Sequence, residues 1–264
     1  MHRRTFLSSA AVLMLGGPLV RSASAQQAGA LGDAFGRLSQ MHALLVRRGD
    51  ETVFAAARRG GSLGLASTSG ANYGAWVASR NWVSYVLRQP MVARPGGRMI
   101  YSTGSSHVLG AALAEATGMT LLAQARERLG GPMGIEIPTW TADPQGYYFG
   151  GNQMALTPRA MLQIAAMMRD GGRHEGRQIV SPDWIRASLQ PRTLSPFSGM
   201  AYGYGWFLTD SGYVLARGYG GQVIAAHPER RLAVAITSDP TQPARSGGYF
   251  GDIMDLLDGP VFSA

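Results

Sequence analysis

The chain contains neither cysteine nor lysine. Its 264 residues include no cysteine, which excludes disulfide bonds, thiolate catalysis and thiolate metal sites. All 24 basic residues are arginine, whose side chain stays protonated, whereas a buried lysine can lose its proton and act as a base. Composition alone therefore excludes any mechanism that needs a lysine as a base or as a Schiff base.

Acidic residues are also few, and 16 Asp and Glu against 24 Arg give a formal net charge of +8. The arginines occur in scattered pairs, such as Arg47 with Arg48, without the basic run or aromatic-interleaved stripe of a nucleic-acid surface. We therefore predict no nucleic-acid partner. The histidines show no metal-ligand spacing, and the chain has no phosphate loop or dinucleotide fingerprint. No metal or cofactor is expected. His107 is expected to be a surface or helix-cap residue, and His227 is expected in an exposed turn between strands.

Long apolar runs are missing as well. The apolar stretch over residues 10–20 is too short and too broken to span a bilayer. It follows the pair Arg3-Arg4 and precedes Ala23-Ser24-Ala25, a cleavage site of the A-x-A type. Residues 1–25 are predicted to be a twin-arginine-like export signal, with an ordinary secretory signal as the alternative. Either signal takes the protein to the periplasm or beyond, and no stable membrane insertion is expected after cleavage.

The pattern along the chain runs from strands to helices and back to strands. A hairpin is predicted over 41–57, and four short strands are predicted between 203 and 238. Capped helices are predicted between them and one more near 252–257. This order predicts an α/β (α+β) fold, an antiparallel sheet flanked by terminal helices with an inserted all-helical subdomain. The predicted parts are the sheet subdomain over 26–66 and 196–264 and the helical subdomain over 67–195.

Three segments carry a family resemblance. They are Pro95 to Gly104 with the helix after it, Gly150 to Arg159, and Tyr202 to Trp206 with Gly218 to Gln222. In this order and spacing they resemble the β-lactamase-related serine hydrolases, which include class C β-lactamases, penicillin-binding proteins and 6-aminohexanoate-dimer hydrolases. The resemblance implies a β-lactamase/transpeptidase-like fold, amide or ester hydrolysis through an acyl-serine, and a small-molecule amide or ester ligand without a cofactor.

The resemblance also implies roles for individual residues. Tyr101 matches the tyrosine that shuttles protons to the leaving group, and Gly221 matches the residue whose N–H holds the oxyanion. Thr103 stands where the family has asparagine, and Gly218 stands where it has lysine or histidine. The predicted catalytic residue is Tyr101, and the predicted substrate-binding residues are Thr103, Asn152, Gly220, Gly221 and Gln222.

One part of the family pattern is missing. A serine with a lysine three residues later should lie between the hairpin and Tyr101, but residues 58–70 offer only Ser62, Ser67 and Ser69. The residues three positions after them are not basic, and no serine in the chain has lysine or arginine there. We interpret this as an internal deletion of the nucleophile helix, which predicts an inactive protein. Such a loss would also leave apolar surface uncovered and predicts self-association.

An alternative nucleophile lies in the same interval. Gly60-Gly61-Ser62-Leu63-Gly64 fits the G-x-S-x-G pattern of a nucleophile elbow. A strand precedes this motif, but glycine and serine follow it where a helix is needed. The alternative prediction is therefore an active hydrolase of small amides or esters that uses Ser62.

Overall fold

The computed structural model of the protein describes residues 25–58 and 73–264. All of the predicted export signal except its last residue lies outside this part of the chain. Ser62, Ser67 and Ser69 also lie outside it.

Ten strands and nine α-helices are present among the described residues. The strands are β1 (Met41–Arg48), β2 (Glu51–Ala57), β3 (Arg173–His174), β4 (Arg177–Gln178), β5 (Thr193–Leu194), β6 (Ala201–Tyr202), β7 (Phe207–Leu208), β8 (Val214–Arg217), β9 (Val223–His227) and β10 (Leu232–Ser238). The helices are α1 (Ala25–Arg37), α2 (Tyr73–Val77), α3 (Trp82–Leu87), α4 (Thr103–Thr117), α5 (Leu121–Ala125), α6 (Gly131–Met133), α7 (Pro158–Arg169), α8 (Pro182–Ser188) and α9 (Tyr249–Leu256). Two π-helical turns, Arg126–Gly130 and Leu257–Val261, extend α5 and α9.

Eight of the strands form one antiparallel sheet in the order β2-β1-β10-β9-β8-β7-β6-β5. The hairpin of β1 and β2 pairs with β10 across the whole length of β1, from Met41 opposite Ser238 to Arg48 opposite Leu232. The sheet therefore joins the beginning and the end of the chain, while the helices from α2 to α8 come from the sequence between them.

Helices cover both faces of this sheet. On one face, Leu44, Leu215 and Ile236 are fully buried in a core that includes Leu31 of α1 and Ile253 of α9. On the other face, α7 packs along β10, β9 and β1, and its Met161 and Ala165 lie against Ala233 and Ala235. The predicted antiparallel sheet with terminal helices and a helical insertion is confirmed.

Local signals account for the helix that leads away from the predicted site. The Ser102 hydroxyl accepts a hydrogen bond from the Ser105 N–H at 3.1 Å and caps the N-terminus of α4. Gly118 ends the helix in the left-handed conformation, with φ of 64°. The structure begins α4 at Thr103, directly after the Ser102 cap.

Among the described residues, no single helix has the length and hydropathy needed to cross a membrane. One bent pair, Thr103–Thr117 with Leu121–Met133, passes that test by length and composition only, and its two halves meet at 81°.

Candidate functional site

A cavity of about 1120 Å³ opens beside the sheet. Its walls come from three places: the start of α4 with the residue before it, the glycine-rich loop before α7, and the ends of β8 to β10 with the loop after β10. Residues from each of the three segments that carried the family resemblance therefore line this cavity, although more than a hundred residues separate Tyr101 from Gly218 along the chain. The part of the third segment from Tyr202 to Trp206 does not line it.

Tyr101 and Thr103 form the wall at the start of α4. Tyr101 lines the cavity and leaves 49% of its surface exposed, whereas Thr103 lines it and is buried. Burial, together with the neighbouring Tyr101, raises the pKa of Tyr202 above its ordinary value. Tyr101, which the resemblance assigns to proton transfer, thus lines the cavity and directly precedes Ser102, the N-cap residue of α4.

Asn152 lies in the glycine-rich loop and lines the same cavity. Both polar atoms of its side-chain amide are shielded from solvent and have no hydrogen-bond partner. The next residue, Gln153, has a positive φ of 74°, a conformation that costs about 1 kcal/mol or more for a residue with a side chain. An unpaired buried amide and a strained residue both cost stability. This loop is therefore a candidate functional element.

The segment from Gly218 to Gln222 forms a tight turn between β8 and β9. Gly218 and Gln222 line the cavity, whereas Gly220 and Gly221 are buried behind it. The Gly221 N–H donates to the Gly218 carbonyl at 3.2 Å, and the Gly220 N–H donates to the Gln222 side-chain oxygen at 3.1 Å. The N–H groups of both buried glycines are therefore engaged within the turn itself.

Ser238 and Tyr249 hold this turn in place through their hydroxyl groups. The Ser238 hydroxyl donates to the Gly221 carbonyl at 3.1 Å and lies 2.8 Å from the Tyr249 hydroxyl. Burial raises the pKa of Tyr249 to about 12, so its hydroxyl stays protonated at neutral pH. The turn is a rigid part of the cavity wall.

Arg217 brings a positive charge to the cavity. Its guanidinium donates to the Ala244 carbonyl at 2.9 Å and lies 3.6 Å from the centre of the Phe250 ring. Within residues 25–58 and 73–264 no carboxylate lies within 4.0 Å of it. Burial lowers the pKa of Arg217, an effect that neighbouring Tyr101 partly offsets. The charge is therefore paired with neutral groups only.

The remaining wall is largely apolar. Met154, Phe197, Phe207 and Pro240 contribute to it, and His42 of β1 lies among them. Apolar walls with a few polar groups are typical of small-molecule sites.

Two expectations about histidine were wrong. His107, expected at the surface, is fully buried, and its Nε2 lies 3.1 Å from the Asp143 carboxylate. His227, expected in an exposed turn, is 2% exposed and lies 2.8 Å from the Ser211 carbonyl. Each ring stands edge-on to aromatic side chains that come from distant parts of the sequence, which is why local polarity misplaced both.

The sequence pattern missed Arg217 and His42 as cavity residues. The signal was present for Arg217, since it follows the apolar run Val214-Leu215-Ala216 in a strand and directly precedes Gly218. A charge at the end of a buried strand is unusual unless something pairs with it. His42 had a weaker signal, one polar residue within an apolar strand. In the described part of the chain, no group of three or more His, Cys, Asp or Glu side chains is arranged to hold a metal ion.

A known family model matches the part of the sequence that forms the cavity walls. The family model described as beta-lactamase matches residues 55–250, a range that contains all three cavity walls. A comparison with curated protein sequences found no match.

Solved structures share the fold at low sequence identity. A candidate 6-aminohexanoate-dimer hydrolase from Bacillus anthracis superposes with a TM-score of 0.68 at 15% identity, over 86% of this chain and 82% of the other. EstCE1, a hydrolase with promiscuous acyltransferase activity, gives 0.64 at 15% identity, over 89% and 98%. A beta-lactamase from Mycobacterium bovis gives 0.61 at 14% identity, over 88% and 99%. At these identities the similarity concerns the fold.

Proposed function

The chain belongs to the β-lactamase family of hydrolases, and from this premise we propose that it binds a small amide or ester ligand without hydrolysing it. One observation carries the proposal: the chain has no lysine, and no serine is followed three residues later by lysine or arginine. The family reaction needs a serine whose proton passes to a base one helical turn away. Arginine cannot replace lysine in this role because it stays protonated.

The turn at Gly218 to Gln222 supports the same proposal. Stabilising an oxyanion requires N–H groups that point at the reacting oxygen and are free to bind it. The Gly221 N–H, which the resemblance assigns to this task, donates instead to the Gly218 carbonyl. Of the predicted catalytic residues, only Tyr101 lies in the described part of the chain, and it lines the cavity.

The cavity supports ligand binding and suggests what the ligand carries. The Asn152 side-chain amide has a donor and an acceptor without partners, which matches an amide group of a ligand, whereas an ester group offers acceptors only. Arg217 offers a positive charge with no carboxylate partner among the described residues. A ligand with an amide and an anionic group, such as the linear dimer of 6-aminohexanoate, fits both. The Bacillus anthracis protein of similar fold is described as a candidate 6-aminohexanoate-dimer hydrolase.

A second candidate function is hydrolysis by Ser62. Its support is the match of Gly60-Gly61-Ser62-Leu63-Gly64 to the nucleophile-elbow pattern. The nucleophile-elbow pattern follows a strand, and β2 ends at Ala57, shortly before this segment in the sequence. The two proposals differ in one observable, which is whether any serine becomes acylated.

The deciding experiment measures the intact mass of the full chain after exposure to a fluorophosphonate and, separately, to benzylpenicillin. We expect no covalent adduct with either reagent, together with saturable binding of the linear 6-aminohexanoate dimer by calorimetry. A stoichiometric adduct that disappears in Ser62→Ala would establish the second function. An adduct that persists in Ser62→Ala, or the absence of both adduct and binding, would refute the proposed binding function.

We also propose that the protein is exported and that it self-associates. The twin-arginine-like segment supports export to the periplasm, where small amides would reach the protein without crossing the inner membrane. Exposed apolar side chains on α3 and α4 support self-association.

A further inference from the structure

His107 lies behind the wall of the cavity and touches both the helix and the loop that form it. It belongs to α4 and is fully buried. Its ring is surrounded by Trp76, Trp82 and Phe149, with ring centres 5.4 to 5.7 Å away. A polar ring in such a cage is costly unless both nitrogens are hydrogen-bonded.

Both ring nitrogens have partners, and the partners fix their roles. Nε2 lies 3.1 Å from an Asp143 carboxylate oxygen, which can only accept, so Nε2–H donates. Nδ1 lies 3.4 Å from the backbone N–H of Gly150, which can only donate, so Nδ1 accepts. The hydrogen bonds therefore assign the donor role to Nε2 and the acceptor role to Nδ1.

Asp143 is itself held firmly. Its other carboxylate oxygen accepts the N–H groups of Gln145 and Tyr147, both at 2.9 Å. The His107 ring consequently has a fixed anchor on one side, and its only bond on the other side goes to the glycine-rich loop.

That loop needs an anchor because its glycines allow a very close approach to α4. A Cβ atom at Gly150 would lie 2.5 Å from the Ser106 carbonyl oxygen, and one at Gly151 would lie 2.6 Å from Thr103 Cγ2. Only glycine fits at both places, and glycine is the residue with the greatest backbone freedom. The Gly150 N–H bond to His107 restrains the chain two residues before Asn152.

We infer that His107 is a positioning residue that sets the position of the glycine-rich loop, and with it Asn152, in the cavity wall. The inference rests on the proposed binding function for its effect on affinity, but its effect on the loop does not depend on a ligand. A histidine that served only to fill the core would influence stability and leave the loop and the ligand unaffected.

Two substitutions separate the two hydrogen bonds of the ring. His107→Asn places an amide oxygen near the position of Nδ1, so that it can still accept from Gly150 but does not reach Asp143. His107→Gln extends one bond further, so that it can still donate to Asp143 but has no acceptor beside Gly150. The two variants lose the same aromatic ring contacts and differ in which bond they keep.

The matched control is His227→Gln. His227 is also buried, lies edge-on to an aromatic ring and bonds through both nitrogens, to the Ser211 carbonyl and the Arg230 N–H. It does not line the cavity. Its replacement tests whether losing a buried histidine by itself changes the site.

The experiment measures two quantities for the full chain, the calorimetric affinity for the linear 6-aminohexanoate dimer and amide hydrogen exchange over residues 148–154. We expect His107→Gln to weaken affinity about tenfold, the scale of one hydrogen bond, and to speed exchange in the loop. For His107→Asn and His227→Gln, we expect both the affinity for the dimer and the rate of amide exchange in the loop to stay within about threefold of the wild-type values.

The outcomes keep the two proposals apart. If the wild type binds no dimer, the proposed function fails, and the exchange of the loop alone decides the role of His107. Equal loop exchange in His107→Asn and His107→Gln would overturn the positioning role, and so would an equal effect of His227→Gln. Should one His107 variant fail to fold, the exchange of the other against the wild type and the control still gives the answer.

Discussion

At the scale of single residues, the cavity holds polar groups that the fold leaves unmatched. The Asn152 amide has no partner, and leaving such a group unpaired costs about 1–3 kcal/mol. The Arg217 guanidinium is bonded to a backbone carbonyl and packed on Phe250, with no counter-charge in the described residues. Asn152 and Arg217 both line the cavity, and we propose that a ligand with an amide and an anionic group binds beside both.

This predicts that Arg217→Gln weakens binding of the linear 6-aminohexanoate dimer. We expect a loss of about 10- to 100-fold, because a hydrogen bond to a charged group contributes about 1.5–3 kcal/mol. The affinity is measured by calorimetry at low and at moderate salt, and salt should weaken binding to the wild type more than to the variant.

The control for this prediction is Arg192→Gln. Arg192 is an exposed arginine whose guanidinium lies 4.5 Å from the centre of the Tyr204 ring, and it does not line the cavity. The Arg192→Gln variant should bind the dimer with the same affinity as the wild type. Equal losses in Arg192→Gln and Arg217→Gln would point to the overall charge of the protein and away from a specific site.

At the scale of elements, α4 has an unusual distribution of side chains. Its buried face consists of small or polar residues, namely Thr103, Gly104, His107, Gly110 and Ala111. Its large apolar side chains, Leu109 and Leu113, point outward, and Leu109 is 71% exposed. The glycine-rich loop needs the small face for its close approach. The helix therefore gains little from apolar burial and depends more than usual on its end caps.

This makes the N-cap of α4 a testable weak point. Ser102→Ala removes the hydroxyl that accepts from the Ser105 N–H and should lower the free energy of unfolding by about 1 kcal/mol. Urea unfolding followed by circular dichroism measures the change. Ser106→Ala is the control, since its hydroxyl makes only a long 3.5 Å contact with the Ser102 carbonyl. A loss in Ser106→Ala as large as in Ser102→Ala would contradict the capping role.

At the scale of the whole molecule, exposed apolar side chains are concentrated in one stretch of the chain. Leu87, Met91, Val92 and Leu109 are each more than two-thirds exposed. They lie on α3, on α4 and on the segment between these helices, directly after the interval where the family has its nucleophile helix. We propose that the shortened interval left this surface without a cover.

The expected consequence is self-association of the purified protein. Burying apolar surface between copies gains about 25 cal/mol per Å², so light scattering during gel filtration should show species larger than a monomer. Leu109→Gln should shift the distribution towards the monomer. A sharp, cooperative melt of a monomer above about 60 °C would contradict both the association and the loss of a central helix.

Leu194→Gln provides the control for association. Leu194 lies on the edge strand β5 and is 65% exposed, close to the exposure of Leu109, but it is outside the stretch from α3 to α4. Its substitution removes the same side chain from a different surface. It should leave the distribution of species unchanged.

The sequence by itself determined the elements and the family. Short-range patterns predicted the hairpin over 41–57 and the strands between 203 and 238, because these signals act over a few neighbouring residues. The three motifs predicted candidate site residues, several of which line the cavity, and composition excluded a lysine base without any structure. The first helix, Ala25–Arg37, was not identified as an element, since its apolar residues contact partners more than two hundred residues away.

Only the tertiary structure decided which polar groups are buried and which are free. His107 and His227 lie inside because aromatic rings from distant segments close around them. Asn152 and Arg217 face a common cavity, whereas the Gly221 N–H is used within its own turn. The physical reason is that burial and hydrogen-bond pairing depend on groups far apart in the chain, and these meet only when the sheet joins its two ends.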